Sequence, residues 1–378
     1  MKRKTYILLI ILLLVLVIAI STKPIIIFVA KKQLADVFPE SKISIGGCAI
    51  KAASQLSLFN IEIKKANIYN FKIKEARVSY NPLSLLRCKI KKFYLGDTSV
   101  SFVLPQKSIT EFGSYFNLKP SIFFVSSMEL GELKLDLKSK EMSLEGGVRL
   151  GVNLVGQVID YLELKISSLE VQGLKLNKGF LAANQKSPGE FNIEKIQYDK
   201  AKIEGIRSKI RLEGKNLFLE NLSAKAFDGE LQGDLALTLD KEPQYLGHIK
   251  AINLDLEKFA QDFNLKEKFQ MSGKLVGELA FKGSGANVQI LDGNFSTVEP
   301  GGRLTITDDK FLKNVAQNSG QSLDILVESF KDYHYNNGVM KLSLEQGNLI
   351  LDIALNGEAG KRNLNIVLHN FKFGKGGL

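Results

Sequence analysis

The sequence predicts a mainly β protein: an elongated, twisted antiparallel sheet with a few short helices and an N-terminal transmembrane helix. The main observation is a run with an apolar residue at every second position, as in Leu231, Leu235 and Leu237. Such a run is typical of a strand, because successive side chains of a strand point to opposite faces. The pattern returns over most of the 378 residues. The chain also has 32 Gly but only 8 Pro, which fits many strands joined by tight turns.

A long uncharged segment near the N-terminus predicts the membrane helix. Three basic residues precede the stretch from Tyr6 to Ile20, in which almost every residue is apolar, Leu8 and Leu14 among them. Basic residues ahead of such a stretch keep the N-terminus in the cytoplasm, so we expect the bulk of the chain outside it. Small residues near Ser21 loosely match a cleavage site, so a cleaved signal peptide remains an open alternative. The apolar residues that follow favour an uncleaved anchor.

The chain is divided into four predicted regions, and the bounds of the third rest on the family resemblance given below. Residues 1–40 hold the anchor and a short helix, and residues 41–208 form a first β-groove region. Residues 209–302 form a second β region. Residues 303–378 hold a pair of helices and a closing meander of three strands. We therefore expect the strands to make up most of the chain, with helices near its two ends.

Four interruptions of the strand pattern carry predictions of their own. Residues 81–87, with a Pro in the first turn, predict a short helical turn. Residues 255–263 predict an amphipathic helix with its apolar residues on one face. Residues 282–287, although rich in Gly, are expected to form a hairpin turn rather than a phosphate-binding loop. The tract 177–190 is rich in Gly, Asn and Ser, and it predicts a long loop.

The sequence contains no cluster that is typical of a catalytic or metal site. The histidines His248, His334 and His369 are far apart, and no nucleophile elbow, Walker loop or metalloprotease motif is present. Acidic residues alternate with leucines along the strands, as on a solvated face, instead of pairing for acid–base work. We therefore expect no enzyme activity, no metal and no cofactor.

Charge and cysteine content are compatible with an exported chain. The net charge is +11, and much of the positive charge lies between Lys64 and Lys92. The lysines there alternate with apolar residues, as on a solvated outer face; attraction to anionic lipid headgroups is a second open interpretation. Export argues against nucleic acid as a partner. Cys48 and Cys88 either form one disulfide or remain two buried thiols.

An ordered set of motifs resembles the AsmA-like family. The family order is a strand with Asn-Leu-Ser-Ala, an aromatic residue and a Gly, then a spacer strand with a short helix, a Ser-Gly-x-Leu-x-Gly motif and a Leu-x-Gly-x-Phe motif. The matching segments here are 217–239, 252–263, 272–285 and 291–296. The tail resembles the C-terminal domain of YdbH-type members, with Gly301-Gly302 before a short strand and an aromatic-rich Tyr333–Tyr335.

The resemblance, to repeating β-groove envelope proteins of the YdbH and TamB type, implies a protein of a diderm bacterial envelope. It implies single-pass anchoring in the inner membrane, with the bulk of the chain in the periplasm and phospholipid as the ligand carried toward the outer membrane. Outer-membrane or periplasmic proteins are further implied partners. Two rival functions remain open: an assembly factor that holds outer-membrane polypeptides by strand addition, and a structural tether of the envelope.

A twisted sheet of this many strands should curl and leave a trough lined by alternate residues. Acyl chains in such a trough avoid water at about 0.8 kcal/mol per CH₂ group, while headgroups stay in solvent. We predict seven lining residues: Leu231, Leu235, Leu237, Leu254, Leu351, Ile353 and Leu355. The alternative for each of them is the core of a closed sandwich.

Overall fold

The computed structural model describes residues 22–368 except 52–53, 86, 105–123, 141, 172, 241, 265, 267–268, 286, 307–321, 323–327 and 329. Most of the helix pair predicted within 303–378 lies outside the described residues. So do the four predicted anchor residues, Tyr6, Leu8, Leu14 and Ile20. Within the described part, no helix combines the length and the apolar character needed to span a membrane. The chain divides into two compact units, Met1–Leu169 and Glu170–Leu378; the four predicted regions remain predictions.

The first unit contains strands and two helices that follow the predicted order. Its elements are α1 (22–37), β1 (Lys42–Lys51), β2 (Gln55–Lys65), β3 (Tyr69–Ser79), α2 (Pro82–Leu85), β4 (Lys89–Leu95), β5 (Thr98–Leu104), β6 (Phe124–Ser139), β7 (Met142–Asn153) and β8 (Val158–Val171). The short helical turn is confirmed as α2, and the side-chain oxygen of Asn81 caps it by accepting a hydrogen bond from Leu83 N at 3.0 Å.

The sheet of the first unit departs from the antiparallel prediction at β6. Strand β3 is antiparallel to both β4 and β5, whereas β6 runs parallel to both, with Phe124 opposite Lys89 and Leu133 opposite Thr98. Parallel neighbours need a connection of a dozen or more residues, so that the chain can return to the starting edge of the sheet. Residues 105–123 supply that length, and the sequence pattern of single strands does not reveal it.

Helix α1 packs on the apolar side of the first strands. Ile27, Leu34 and Phe38 contact a buried cluster that includes Ile63 and Phe102. The carbonyl of Lys23, near the helix start, lies 3.6 Å from the sulfur of Cys48. Cys48 and Cys88 are both free thiols. The helix therefore runs alongside β1 in the opposite direction, with its start near the far end of that strand.

The second unit contains most of the strands. Its elements are β9 (Leu174–Asn184), β10 (Gly189–Tyr198), β11 (Ala201–Glu213), β12 (Asn216–Ala226), β13 (Gly229–Thr238), β14 (Gln244–Asp255), α3 (Leu256–Asp262), β15 (Phe269–Met271), β16 (Lys274–Ser284), β17 (Asn287–Thr297), β18 (Gly302–Ile306), β19 (Tyr333–Tyr335), β20 (Asn337–Glu345), β21 (Asn348–Gly357) and β22 (Gly360–Leu368). The prediction of a mainly β protein is confirmed.

The main sheet of this unit is an antiparallel meander. Each strand from β9 to β14 pairs with the next, and the ladder continues through β16, β17, β20, β21 and β22. The hairpin at 282–287 and the closing meander are as predicted. Helix α3 is also as predicted: Asp255 caps it by accepting a hydrogen bond from Lys258 N at 2.8 Å, and Phe259 packs on Phe227.

The loop predicted at 177–190 was wrong, because most of it is strand. Residues up to Asn184 complete β9, and β10 begins at Gly189, so that only a four-residue turn separates them. The side-chain oxygen of Asn184 organises this turn by accepting a hydrogen bond from Ser187 N at 2.9 Å. The small residues that indicated a loop belong to β9, where Gly179 lies directly opposite Ile193. Packing against large neighbours favours small residues there, irrespective of their turn propensity.

A small second sheet, β15–β18–β19, covers one end of the main sheet. Leu304, Phe330 and Tyr333 form a closed cluster with Leu355 and Leu364 of the main sheet. The hydroxyl of Tyr333 donates a hydrogen bond to the carbonyl of Gly360 at 2.6 Å. Burial of both the ring and its hydroxyl ties the two sheets together at this end.

Tyr335 of the same cluster gives this end of the unit a pH-dependent stability. Its hydroxyl donates a hydrogen bond to the carbonyl of Ser272 at 2.6 Å, and burial raises the pKa of this hydroxyl from 10.0 to about 12. The unfolded chain releases the proton first, so the free energy of unfolding falls as the pH rises from the unfolded to the folded pKa.

We expect Tyr335→Phe to remove this decrease in the free energy of unfolding at alkaline pH, which amounts to about 2–3 kcal/mol. The variant should be slightly less stable at neutral pH, because it lacks the hydrogen bond to Ser272. Denaturant unfolding of both proteins between pH 9 and pH 12 checks this, if monitored by the circular dichroism of the sheet. Parallel stability curves for the two proteins over that range would contradict it.

Candidate functional site

One face of the main sheet in the second unit collects the apolar side chains of strand after strand. Residues directly opposite each other in adjacent strands have side chains on the same face. In β13 and β14, Leu231 lies opposite Ala251, and Leu235 lies opposite Gly247. We call this side of the sheet the apolar face.

The register carries the apolar face from β14 to the last strand. Starting at Ala251, the directly opposed residues are Gly277, Phe295, Met340, Ile353 and Leu364. The other predicted lining residues follow the same ladder, with Leu254 opposite Leu275 and Leu351 opposite Leu342. All seven predicted residues therefore lie on one face, although they come from three strands.

In the other direction the face continues to β9. Leu235 lies opposite Leu219, which lies opposite Ile210. A cluster around Ile193 and Ile206 then gathers apolar residues of β9 to β13, including Leu231. The backbones of β9 and β11 approach within 8 Å, although two strand spacings in a flat sheet amount to about 9.6 Å. The sheet therefore bends around β10, next to this cluster.

Single-residue bulges keep the apolar residues on this face. Leu219 and Leu222 lie opposite Leu235 and Gly233, so that β12 has one residue more than β13 at this point. Asn221 takes up the extra residue with a left-handed φ of 55°, a conformation that Asn adopts more readily than most residues. Without the bulge, Leu222 would turn to the solvated side. Bulges also bend a sheet, which favours a concave face.

Replacing Asn221 with Val tests this role of the bulge. A β-branched residue is strained in the left-handed region, so we expect Asn221→Val to lower the free energy of unfolding by about 1–3 kcal/mol. Asn221→Gly, which adopts the same φ freely, should be close to the wild type. Chemical denaturation of the two variants measures the difference, and equal stabilities would show that the bulge does not require its φ.

The burial of the predicted lining residues separates them into two groups. Leu355 is 6% exposed and belongs to the closed cluster under the second sheet. The other six are half-buried, and Ile353 packs against the edge of that cluster. Half-buried apolar side chains belong neither to a closed hydrophobic core nor to a fully solvated surface. Whether the seven residues bind acyl chains remains a prediction.

Aromatic rings smooth the apolar face where its strands carry glycine. A side-chain carbon added at Gly247 would lie 2.3 Å from the ring of Phe281, and one at Gly277 would lie 2.5 Å from the ring of Phe295. The two rings therefore occupy the space that a larger side chain at Gly247 or Gly277 would fill. This pairing places an aromatic ring of the neighbouring strand beside each of the two glycines, on β14 and on β16.

The opposite side of the same strands is polar. Glu230, Gln232 and Asp234 alternate with the lining leucines of β13 and are exposed. His248 lies on this side too, with its Nε2 atom 3.2 Å from a carboxylate oxygen of Glu278. Some large apolar side chains also lie on the polar side, among them Leu246, which is 57% exposed. The two faces thus differ sharply in polarity.

The described residues contain no group of side chains with the arrangement of a metal site. His334, the histidine in the aromatic-rich segment, has its Nε2 atom 3.2 Å from a carboxylate oxygen of Asp332. Arg303 pairs with the same carboxylate, and all three side chains are more than half exposed. This arrangement is an ordinary surface ion-pair network.

Several residues of the apolar face were missing from the sequence prediction. Phe281, Phe295 and Leu291 on β16 and β17, and Ile193 and Ile206 on β10 and β11, belong to it. They alternate with polar or small residues as the predicted leucines do, so the same pattern, applied to every apolar residue, could have found them. Regular alternation would place Ile252 on the side of Leu254, but Ile252 lies opposite Glu230, because a bulge at Asn253 with φ 54° intervenes.

Fold and face together define a many-stranded antiparallel β protein with one long, half-buried apolar face and a polar back. The model of the YdbH-like family, described as intermembrane phospholipid transport protein YdbH, matches residues 134–366. The match covers more than half of the chain, and the chain belongs to this family. Comparison with curated proteins and with solved structures gives no match.

Proposed function

We propose that this protein is an envelope protein that holds phospholipid acyl chains on its apolar face and contributes to phospholipid transport between the inner and outer membranes. Membership of the YdbH-like family supports the transport role. The inner membrane is the proposed site of anchoring, through the apolar segment from Tyr6 to Ile20, with the remaining chain in the periplasm. The protein acts by passive binding, without catalysis and without a cofactor.

The observation that carries this proposal is the half-buried state of a continuous apolar face. Leu231, Leu235 and Leu237 are half-buried on one side of β13, and the register extends this side through every strand of the meander. Covering such a face with hydrocarbon is favourable by about 25 cal/mol per Å². The concave form suits acyl chains that lie across the strands in a groove, with headgroups in solvent.

The pairing of the strands favours lipid over a polypeptide client. An assembly factor that acts by strand addition needs backbone groups that are free to pair. In the described meander the strands from β10 to β21 each have a neighbour on both sides, so their backbone groups are occupied. On these strands the available surface consists of side chains, and on the apolar face these side chains are apolar.

Transfer of lipid between vesicles tests the proposal. The full chain is reconstituted into donor vesicles that contain a fluorescent phospholipid and a quencher, and transfer to unlabelled acceptor vesicles is followed by dequenching. We expect transfer well above that of donor vesicles without protein. A rate equal to the protein-free rate, with the protein folded and inserted, would contradict a transport role.

A further inference from the structure

The exposed large apolar side chains of the first unit gather at one end of its strands. The described part of the unit has nine such residues, and eight of them lie at this end. We call these eight residues the hydrophobic rim: Ile25, Phe28, Val29, Ile50, Leu83, Phe124, Leu154 and Val155. The ninth, Val103, lies at the opposite end, where its backbone N–H donates to the carbonyl of Ile68 at 2.7 Å.

The strand register brings the segments of the rim together. Ile50 is next to the β1–β2 turn, and Ser54 in that turn accepts a hydrogen bond from Tyr80 N at 2.8 Å, just before α2 and Leu83. Phe124 N donates to the carbonyl of Cys88 at 2.8 Å, at the start of β4.

The β7–β8 turn belongs to the same end of the sheet. Leu154 N donates to the carbonyl of Ser126 at 2.9 Å, two residues after Phe124. Val155, the next residue, is 78% exposed. Helix α1 starts at this end as well, because Lys23 lies beside Cys48. Five separate segments therefore contribute to one edge.

The α1 part of the rim lies on the side of the helix that does not face the sheet. Ile27, Ala30 and Leu34 pack inward, whereas Phe28 is 69% exposed and Ile25 is 61% exposed. In the sequence, the uncharged apolar stretch from Tyr6 to Ile20 comes just before this helix. The apolar outer side of α1 thus continues the apolar character of that stretch to Val29.

The charges within the rim segments are all of one sign. Lys23, Lys51, Arg87 and Lys89 lie in or next to the rim segments, and no Asp or Glu occurs at 22–29, 50–55, 79–89, 124–127 or 153–158. More widely, residues 22–104 contain fourteen Lys and Arg but five Asp and Glu. At the opposite end of the strands the charges are mixed, with Glu40 paired to Lys65 at 2.9 Å.

We propose that the hydrophobic rim is a membrane-contact surface that inserts into the headgroup region of a bilayer containing anionic phospholipid. Exposed apolar side chains with interspersed Lys and Arg, without acidic residues, are the pattern that binds such an interface. The first unit then stands with its strand ends against the bilayer. This surface goes beyond the proposed lipid transport and does not depend on it.

Single tryptophans test the proposal, because the chain contains no Trp. Leu83→Trp and Val155→Trp place a probe in the rim, and Val103→Trp is the matched control at the opposite end. Each full-length variant is reconstituted into vesicles of phosphatidylethanolamine and phosphatidylglycerol in which some lipids carry bromine near the headgroup end of the acyl chain. We expect blue-shifted emission and a loss of at least half of the intensity for both rim probes, and little loss for Val103→Trp.

Two results would overturn the proposal. Rim probes that remain unquenched in folded, inserted protein would show that the rim faces solvent or another protein. Equal quenching of Val103→Trp would show that the contact is not confined to this end. If a rim variant fails to fold by circular dichroism, Phe124→Trp replaces it, since this aromatic side chain is 74% exposed.

The charge requirement has its own comparison. Arg87→Gln with Lys89→Gln, made in the Leu83→Trp background, should reduce quenching in vesicles with phosphatidylglycerol but not in vesicles of phosphatidylcholine alone. Lys138→Gln with Lys140→Gln, at the opposite strand ends, should change neither. An equal effect of the two pairs would contradict the role of the basic residues. Lipid transfer, measured on the same proteins, reports separately on the proposed function.

Discussion

Leu235→Asp is expected to reduce phospholipid binding at least tenfold while the sheet stays folded. Leu235 is half-buried on the apolar face, opposite Leu219 on one side and Gly247 on the other. Loss of the leucine contact alone removes about 1.5–3 kcal/mol of binding free energy. Desolvation of a carboxylate by an acyl chain carries a larger penalty. Because 1.4 kcal/mol corresponds to a factor of about ten in affinity, tenfold is a lower bound.

The matched control is Leu246→Asp, the same substitution on the neighbouring strand and the opposite face. Leu246 lies opposite Ala236 and is 57% exposed, so an aspartate there should leave both lipid binding and folding unchanged. Mass spectrometry of the lipid that co-purifies with each protein measures the effect. Loss of the β-sheet circular dichroism in Leu235→Asp would favour the closed-core alternative, and equal lipid content in both variants would contradict the assignment of the face.

Leu355→Ala is expected to lower the free energy of unfolding by about 2–5 kcal/mol, the usual result of truncating a buried leucine. Leu355 is 6% exposed, and it packs with Tyr333 and Phe330 where the second sheet covers the main one. Little room for collapse exists around it, since a side-chain carbon added at Gly338 would lie 2.5 Å from Leu355 itself.

Leu351→Ala separates packing from lipid contact on the same strand and the same face. Leu351 is half-buried and lies outside the closed cluster, so its truncation should cost clearly less stability than that of Leu355 in lipid-free protein. Guanidinium unfolding of the delipidated variants compares the two. Equal losses of stability would show that the whole face is a closed core, and lipid could then not reach the residues of the proposed groove.

The sequence pattern was sufficient where the alternation is unbroken. Leu231, Leu235 and Leu237 were placed on one face from their spacing alone, and the register agrees. The pattern failed at bulges, because an extra residue reverses the faces beyond it. Asn253, with φ 54°, moves Ile252 and Leu254 to opposite sides. An Asn or Gly at the point where the alternation slips is the local signal of such a bulge.

Other features depend on contacts that no local pattern contains. The parallel placement of β6 follows from how the chain returns after β5, and the strand character of 177–184 follows from its pairing with β10. Leu355 looks like its neighbours in sequence, yet it is buried because the second sheet, from distant residues, covers it. The hydrophobic rim joins five segments that lie between residues 25 and 155 of the sequence, and only the register brings them together.

We expect phospholipid on one face of the sheet and not on the other, and residue-by-residue photocrosslinking along β13 distinguishes the two faces. Benzoylphenylalanine is placed in the full chain, in cells, at each position from Leu231 to Leu237 in turn except Gly233, where an added side-chain carbon would lie 2.0 Å from the carbonyl of His248. Crosslinked phospholipid is identified by mass spectrometry. Lipid adducts are expected at Leu231, Leu235 and Leu237, and none at Gln232, Asp234 or Ala236. Adducts on both faces alike, or on neither, would contradict this expectation.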